Sequence, residues 1–223
     1  GLPPLTVRRL LAHAPMPRLT GFPQDLVDSG YVSAYFHGSD LSFEQQRFYL
    51  KSTGFQDIHE SRHDDEFPAF GWGLSDGEMF DRITEWLSSK RSGPDPSPVF
   101  ATLFTLSTHD PYQIPASFPK SQDSSDYGRF VDSLRYFDSE FGRFYEWYRK
   151  HEAPRGTLLV LVGDHTSRIR FPSDRNNTTT GEFEYRFRTP MTILGLTEKE
   201  AERFSPFVSR RGGQLDVGPT LLS

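Results

Sequence analysis

Asp164 and His165 follow directly on a run of six apolar or β-branched residues, 157–162, and a single glycine, Gly163. Such a run is too short for a helix and suits a strand buried on both faces. A carboxylate and an imidazole leaving a strand end side by side are both competent ligands for a divalent cation. In open α/β sheets, ligands collect at the carboxyl ends of strands. Two further strand-like runs end in the same way. Residues 99–106 lead into Ser107-Thr108-His109-Asp110-Pro111, and residues 31–36 lead into His37-Gly38-Ser39-Asp40. Taken alone, an Asp-His pair is more readily a helix cap beside a surface histidine. Three of the seven histidines follow the three best strand candidates, however, and that repetition favours one shared site on one edge of one sheet. The other four, His13, His59, His63 and His151, lie in polar or helical surroundings and read as solvated.

The elements that must position these groups alternate between strand and helix. A short helix over 23–29 is closed by Gly30 before the strand at 31–36, and a second helix over 42–52 is closed by Gly54. Asp76 is placed to cap a helix over 77–90, whose Met79, Phe80, Ile83, Trp86 and Leu87 share one face. A proline-rich connector, 93–98, leads into the strand at 99–106, and residues 111–126 read as a long polar loop. The strongest helix is 127–151, where Phe130, Leu134, Phe137, Phe141, Tyr145 and Tyr148 step by three or four and form a core stripe. A last core strand is expected over 188–194 and a short helix over 217–222. The alternation gives the fold class: α/β, with a largely parallel central sheet flanked by helices.

Composition narrows the function. The 223 residues suit one domain or part of a larger one, and 20 Phe, 9 Tyr and 3 Trp can fill its core. A net charge of −5 without a dense basic cluster argues against nucleic acid as a partner. The absence of cysteine excludes disulfides, thiolate metal sites and a cysteine nucleophile. No apolar run approaches the roughly 18 residues of a membrane span. The opening Gly1-Leu2-Pro3-Pro4 has the look of a cut within a longer protein.

An ordered set of short motifs carries a family resemblance over nearly the whole chain. It comprises Gly1-Leu2-Pro3, Phe36-His37-Gly38, Ser42-Phe43, Gly54-Phe55, Trp72-Gly73-Leu74-Ser75-Asp76 and Phe104-Thr105-Leu106-Ser107-Thr108-His109. Arg135-Tyr136-Phe137-Asp138, Gly163-Asp164-His165, Arg188-Thr189-Pro190 and the run from Asp216 to Leu222 complete it. In this set the chain resembles the alkaline-phosphatase/sulfatase superfamily, in its lipoteichoic acid synthase and phosphoglycerol transferase branch. The resemblance implies an alkaline-phosphatase-like fold lacking its N-terminal part, with residues 1–223 as the C-terminal portion of a sulfatase-like catalytic domain.

It also implies a chemistry. One divalent cation, manganese or magnesium rather than zinc, is held by a Glu, a Thr and an Asp-His pair, here Asp164 and His165. The Thr is the nucleophile that takes a phosphoglycerol group from an anionic phospholipid head group and passes it to an acceptor. A cation lowers the pKa of a hydroxyl it holds and neutralises phosphoryl charge. By the same resemblance His109 is the catalytic histidine beside the phosphate, and it and His37 contact the substrate. The Glu and the nucleophilic Thr of the family precede the Gly-Leu-Pro that opens this chain. Thr6 and Thr20 therefore do not qualify, and the chain alone is expected to hold metal weakly and to be inactive.

The substrate pocket departs from the family. The lipoteichoic acid synthases carry Asp, Trp and Arg where this chain has Ser39, Glu44 and Gln46. Arg47, one place further on, is the candidate to substitute for the phosphate-gripping Arg; Arg168 is another candidate anion contact, although a lone loop arginine reads more readily as solvated. The resemblance places the parent protein at the cell membrane, anchored by upstream helices, with its catalytic domain periplasmic or extracellular. Competing readings are a sulfatase or phosphodiesterase acting on a sulfate or phosphate ester, and an inactive binding domain. Phosphoethanolamine transferases share the fold, but they usually carry disulfides, which this chain cannot form.

Overall fold

The computed structural model describes residues 20–42, 45–61, 73–93, 97–166, 169, 188–205 and 211–222. His13, His63, Arg168 and the opening motif lie outside them. The chain divides into two compact units: residues 1–122 with 129–144, and residues 123–128 with 145–223.

The first unit is built on three parallel strands. β1 (Val32–His37) lies between β2 (Asp57–Glu60) and β3 (Val99–Phe104). His37 is in register with Glu60 on one side and Phe104 on the other, so all three strands end level with one another. Helix α1 (Phe22–Asp28) precedes β1, and α2 (Gln46–Ser52) precedes β2. Ala34 and Phe36 of β1 are fully buried, as a central strand requires. β2 escapes a reading of the sequence because Asp57-Ile58-His59-Glu60 holds one aliphatic residue and two carboxylates. Those polar groups have specific partners. Asp57 accepts from Trp86 Nε1 at 3.2 Å and pairs with Lys90 at 3.2 Å.

Helix α3 (Asp76–Arg91) packs its Met79, Phe80, Ile83, Trp86 and Leu87 inward, the face the periodicity marks. Its cap is Ser75 and not Asp76. Ser75 and Glu78 form a reciprocal capping box, in which the Glu78 carboxylate accepts the Ser75 N–H at 2.8 Å. Asp76 is thereby moved into the first helical position and fully buried.

Helix α4 (Asp126–His151) contributes residues 129–144 to the first unit. Phe80 of α3 meets Phe137, Phe141 and Phe144 at ring-centroid distances of 6.2, 6.2 and 5.0 Å. Of the expected stripe Phe130 and Tyr148 are buried, Phe137, Phe141 and Tyr145 are half-buried, and Leu134 is 42% exposed; Ser133, Tyr136 and Phe144 join the buried line. The stripe is thus the one the aromatic spacing suggests, except at Leu134. Two polar groups of α4 are bonded on the buried side: Asp132 accepts the Ser121 N–H at 2.8 Å, and Tyr136 Oη accepts the Gly77 N–H at 3.1 Å.

In the second unit β4 (Leu159–Val162) and β5 (Met191–Leu194) form a separate antiparallel pair. β4 is half-buried, with Val162 43% exposed, and is not the doubly covered strand its composition implies. Tyr148 Oη clips the pair by donating to the Thr157 carbonyl at 2.7 Å. Helix α5 (Glu198–Phe204), a 3-10 turn (Gln214–Asp216) and α6 (Val217–Leu222) complete this unit. No helix among the described residues is long and apolar enough to cross a membrane.

Candidate active site

His37 and His109 belong to loops that leave the carboxyl ends of adjacent strands. His37 is the last residue of β1. It stacks between Tyr35 and Phe104, with centroid distances of 6.3 and 5.2 Å. Its Nδ1 accepts the Ser39 N–H at 3.1 Å, the shorter of its two contacts to Ser39. In the neutral ring that bond favours the proton on Nε2. Burial lowers the pKa below the ordinary imidazole value, which favours that neutral form.

His109 carries the opposite tautomer. Its Nδ1 lies 2.7 Å from the Asp110 carbonyl, which can only accept, so Nδ1 is the donor and Nε2 keeps a lone pair. One ring offers an N–H to an anion and the other offers a base.

Three loops lock these strand ends together. The Leu74 N–H donates to the Gly38 carbonyl at 2.8 Å. A Cβ on Gly73 would lie 1.9 Å from that same carbonyl oxygen, so the approach requires glycine. Asp76 Oδ1 then accepts the N–H groups of Leu106 and Ser107 at 2.8 and 3.1 Å. The Asp76 N–H donates to Ser107 Oγ at 3.2 Å. Burial pushes the Asp76 carboxyl above the usual carboxylate range, against the lowering effect of those bonds. Its Oδ2 is buried with no hydrogen-bond partner among the described residues.

Arg47 is held by carboxylates. Its Nε donates to Glu60 at 2.6 Å, and its Nη2 reaches Asp40 at 3.5 Å. Glu60, whose side chain is 7% exposed, also accepts the Leu41 N–H at 2.9 Å. Burial pushes the Glu60 carboxyl up, but the bonds from Arg47 and Leu41 outweigh it and leave the pKa lowered. The positive charge of Arg47 is therefore already matched within this unit.

His59 corrects the reading of it as solvated. It lies on β2, stacks on Phe36 at 4.4 Å and meets Trp86 at 6.4 Å. Its Nε2 is buried without a partner among the described residues, and burial lowers its pKa. His37 and His59 share a sign. Both titrate lower in the fold than when unfolded, so their contribution to stability is complete above the ordinary imidazole value. It is lost as pH falls from about 6.5 through the folded values. Asp76, with its raised pKa, acts in the opposite sense and regains stability as it protonates. Thermal melts between pH 7.5 and 5 are expected to fall less steeply for His59→Phe than for the wild type. Equal slopes would mean that His59 is not the source.

In the second unit, Asp164 Oδ2 and His165 Nε2 stand 3.3 Å apart, with side chains 53% and 65% exposed. His165 Nδ1 lies 3.0 Å from the Thr166 carbonyl, a contact that orients the ring. An oxygen and a nitrogen at this separation suit neighbouring positions on one divalent cation. They supply two of the roughly six donors that a hard cation takes. Among the described residues no group of three or more His, Cys, Asp or Glu is arranged to hold an ion. Gln214 Nε2 donates to the Gly163 and Asp164 carbonyls at 3.2 and 2.5 Å and fixes the backbone that bears the pair.

Comparison with known proteins agrees with the motifs. The profile of the Sulfatase family matches residues 4–223. A lipoteichoic acid synthase-like protein of Bacillus subtilis, YvgJ, is 26% identical over 219 residues, covering 89% of this chain and 33% of its own length. Phosphoglycerol transferase I of Xanthomonas axonopodis pv. citri is 26% identical over 206 residues, covering 88% of this chain and 28% of its own. The chain thus spans about a third of the length of these relatives. A Vibrio parahaemolyticus protein of the alkaline phosphatase superfamily superposes with a TM-score of 0.64 at 23% identity, over 83% of this chain and 44% of that one. A parallel sheet flanked by helices, an ordered motif set and a profile match over 220 of 223 positions (4 to 223) lead to one assignment. The chain belongs to the sulfatase family.

Proposed function

We propose that this chain is part of the catalytic domain of a metal-dependent phosphoglycerol-type transferase of the bacterial cell envelope. The observation that carries the reading is the pair of opposite tautomers at adjacent strand ends. An anionic phosphodiester needs a hydrogen-bond donor for its non-bridging oxygens, and the Nε2–H of His37 supplies one. Group transfer also needs a site that takes a proton from an attacking hydroxyl and returns one to a departing alkoxide. His109 Nε2, with its proton partner pinned on Nδ1, has that capacity. Arg47 would join by exchanging its long contact with Asp40 for a phosphoryl oxygen while keeping Glu60.

Asp164 and His165 would hold the cation, together with ligands from the parent protein outside this chain. When bound, the cation neutralises charge on the transferring group. The nucleophilic Thr of this reading also lies outside the chain. The donor is an anionic phospholipid head group. The names of the two relatives, a phosphoglycerol transferase and a lipoteichoic acid synthase-like protein, support a phosphoglycerol donor over a sulfate ester. The parent protein would be membrane-anchored, with this domain outside the cytoplasm.

The test compares the 223-residue chain with a polypeptide extended upstream to the length of the relatives. Manganese-dependent release of diacylglycerol from fluorescent phosphatidylglycerol is expected in the extended protein and is expected to disappear in Asp164→Ala. Turnover of aryl sulfates or simple phosphodiesters in its place would move the assignment to a hydrolase.

A further inference from the structure

Asp76 is a costly residue for its position. It is fully buried, and only one of its two carboxylate oxygens is hydrogen-bonded among the described residues. A neutral side chain could fill the first position of a helix that Ser75 already caps. Burying a carboxylate with an unpartnered oxygen costs free energy that helix formation does not recover. The use of the carboxylate is visible in what Oδ1 binds. It takes the N–H groups of two consecutive residues, Leu106 and Ser107, and Ser107 Oγ accepts a bond in turn from the Asp76 N–H.

Those two residues begin the turn that presents His109. The turn closes when the His109 N–H donates to the Leu106 carbonyl at 2.9 Å, and the Tyr112 N–H then donates to the His109 carbonyl at 2.7 Å. His109 and Asp110 are exposed, whereas Ser107 is buried. The buried end of the loop is thus the end that Asp76 grips. We propose that Asp76 is a positioning residue for His109: its clamp on Leu106 and Ser107 fixes the turn that keeps the ring proton on Nδ1 and the lone pair on Nε2. The clamp also reaches His37, because the segment that carries Asp76 begins with the Leu74–Gly38 bond. The catalytic consequence rests on the transferase reading, but the positioning itself does not.

The experiment is histidine-selective nitrogen NMR on the 223-residue chain at pH 7.5, with His109 assigned through His109→Gln and His151, which belongs to the second unit, as a reference. Wild-type His109 is expected in the Nδ1–H tautomer. Asp76→Asn keeps an acceptor oxygen at the Oδ1 position and is expected to preserve that state. Asp76→Ala is expected to convert His109 to a tautomer mixture while His151 is unmoved. If the alanine variant does not fold, Asp76→Ser, too short to span both N–H groups, is expected to give the same mixture. An unchanged His109 ring in whichever of these two variants folds would overturn the proposal.

In the extended, active polypeptide, kcat should fall on the order of 100-fold in Asp76→Ala, the cost of about 1 Å of misplacement, with KM moved less and with recovery in Asp76→Asn. A disordered ring without loss of transfer would uphold the positioning role and remove His109 from the chemistry. A kcat loss equal in the Asn and Ala variants, with the ring unchanged, would overturn the clamp.

Discussion

Gly73→Ala is expected to lower the melting temperature of the chain by roughly 6–12 °C, on the order of 3 kcal/mol for a protein of this size. The clash has no soft side. The added Cβ would stand 1.9 Å from the Gly38 carbonyl oxygen, 2.5 Å from its carbon and 2.9 Å from the Ser39 nitrogen. All three are backbone atoms, so no side-chain rotation relieves the contact. Retreat of the chain by the missing distance breaks the 2.8 Å Leu74–Gly38 bond and leaves a buried N–H and carbonyl to find new partners. The same retreat pulls on the loop that begins at His37. Gly93→Ala is the natural control, since nothing lies within 4 Å of the place its Cβ would take. Scanning calorimetry of the two variants decides the point: a Gly73→Ala protein that melts within about 2 °C of wild type would show that the loops are not locked together.

His109→Gln is expected to lower kcat of the extended transferase by about 10²–10⁴-fold, the range of a single general acid–base group. Glutamine can still donate a hydrogen bond to a phosphoryl oxygen, but it offers no basic nitrogen. Binding should therefore survive better than turnover. His37→Gln is the contrasting case. His37 Nε2 is a donor, because Nδ1 is occupied as an acceptor by the Ser39 N–H. A glutamine amide can replace a donor, so kcat should fall far less at position 37 than at position 109. Steady-state kinetics on fluorescent phosphatidylglycerol separates the two, since loss of a group needed only in the transition state lowers kcat and kcat/KM together. Similar kcat in the wild type and His109→Gln would exclude the proton-transfer role.

What the sequence makes legible follows from the range of the interactions. β1 and β3 are readable because Val32–His37 and Val99–Phe104 are largely apolar over their length and end at loop residues. The inward face of α3 is readable for a similar reason, as five large apolar residues repeat at helical spacing. β2 is not, because Asp57 and Glu60 are satisfied by Trp86, Lys90 and Arg47, residues 13 to 33 positions away in sequence. The Ser75-x-x-Glu78 spacing of a capping box is itself a local signal, and it places the cap one residue before Asp76. No local signal shows that Asp76 reaches across to Leu106 and Ser107. The histidines illustrate the same division. His37 and His109 are placed by the strand ends they follow, while His59 becomes a half-buried ring with a buried Nε2 only through Phe36 and Trp86. The pairing of Arg47 with Glu60 likewise depends on β2 lying beside β1.

The first turn of α3 has a consequence for the order in which a growing chain can assemble. Three of its N–H groups are satisfied by side chains of very different provenance. Glu78 donates to Ser75 within the same turn, Asp76 donates to Ser107 across 31 residues, and Gly77 donates to Tyr136 across 59. A ribosome that has released residues 75–91 has released a helix whose start is capped at one point and open to water at two. The second bond waits for β3 and its loop, and the third waits for the middle of α4. Synthesis proceeds at about 5–20 residues per second, so the 59-residue interval lasts roughly 3–12 seconds. For the first part of that interval Leu106 and Ser107 are not yet made and the Asp76 carboxylate lacks their N–H groups, whereas Gly38 and Leu74 are already available to each other. The start of α3 is therefore completed from the C-terminal side.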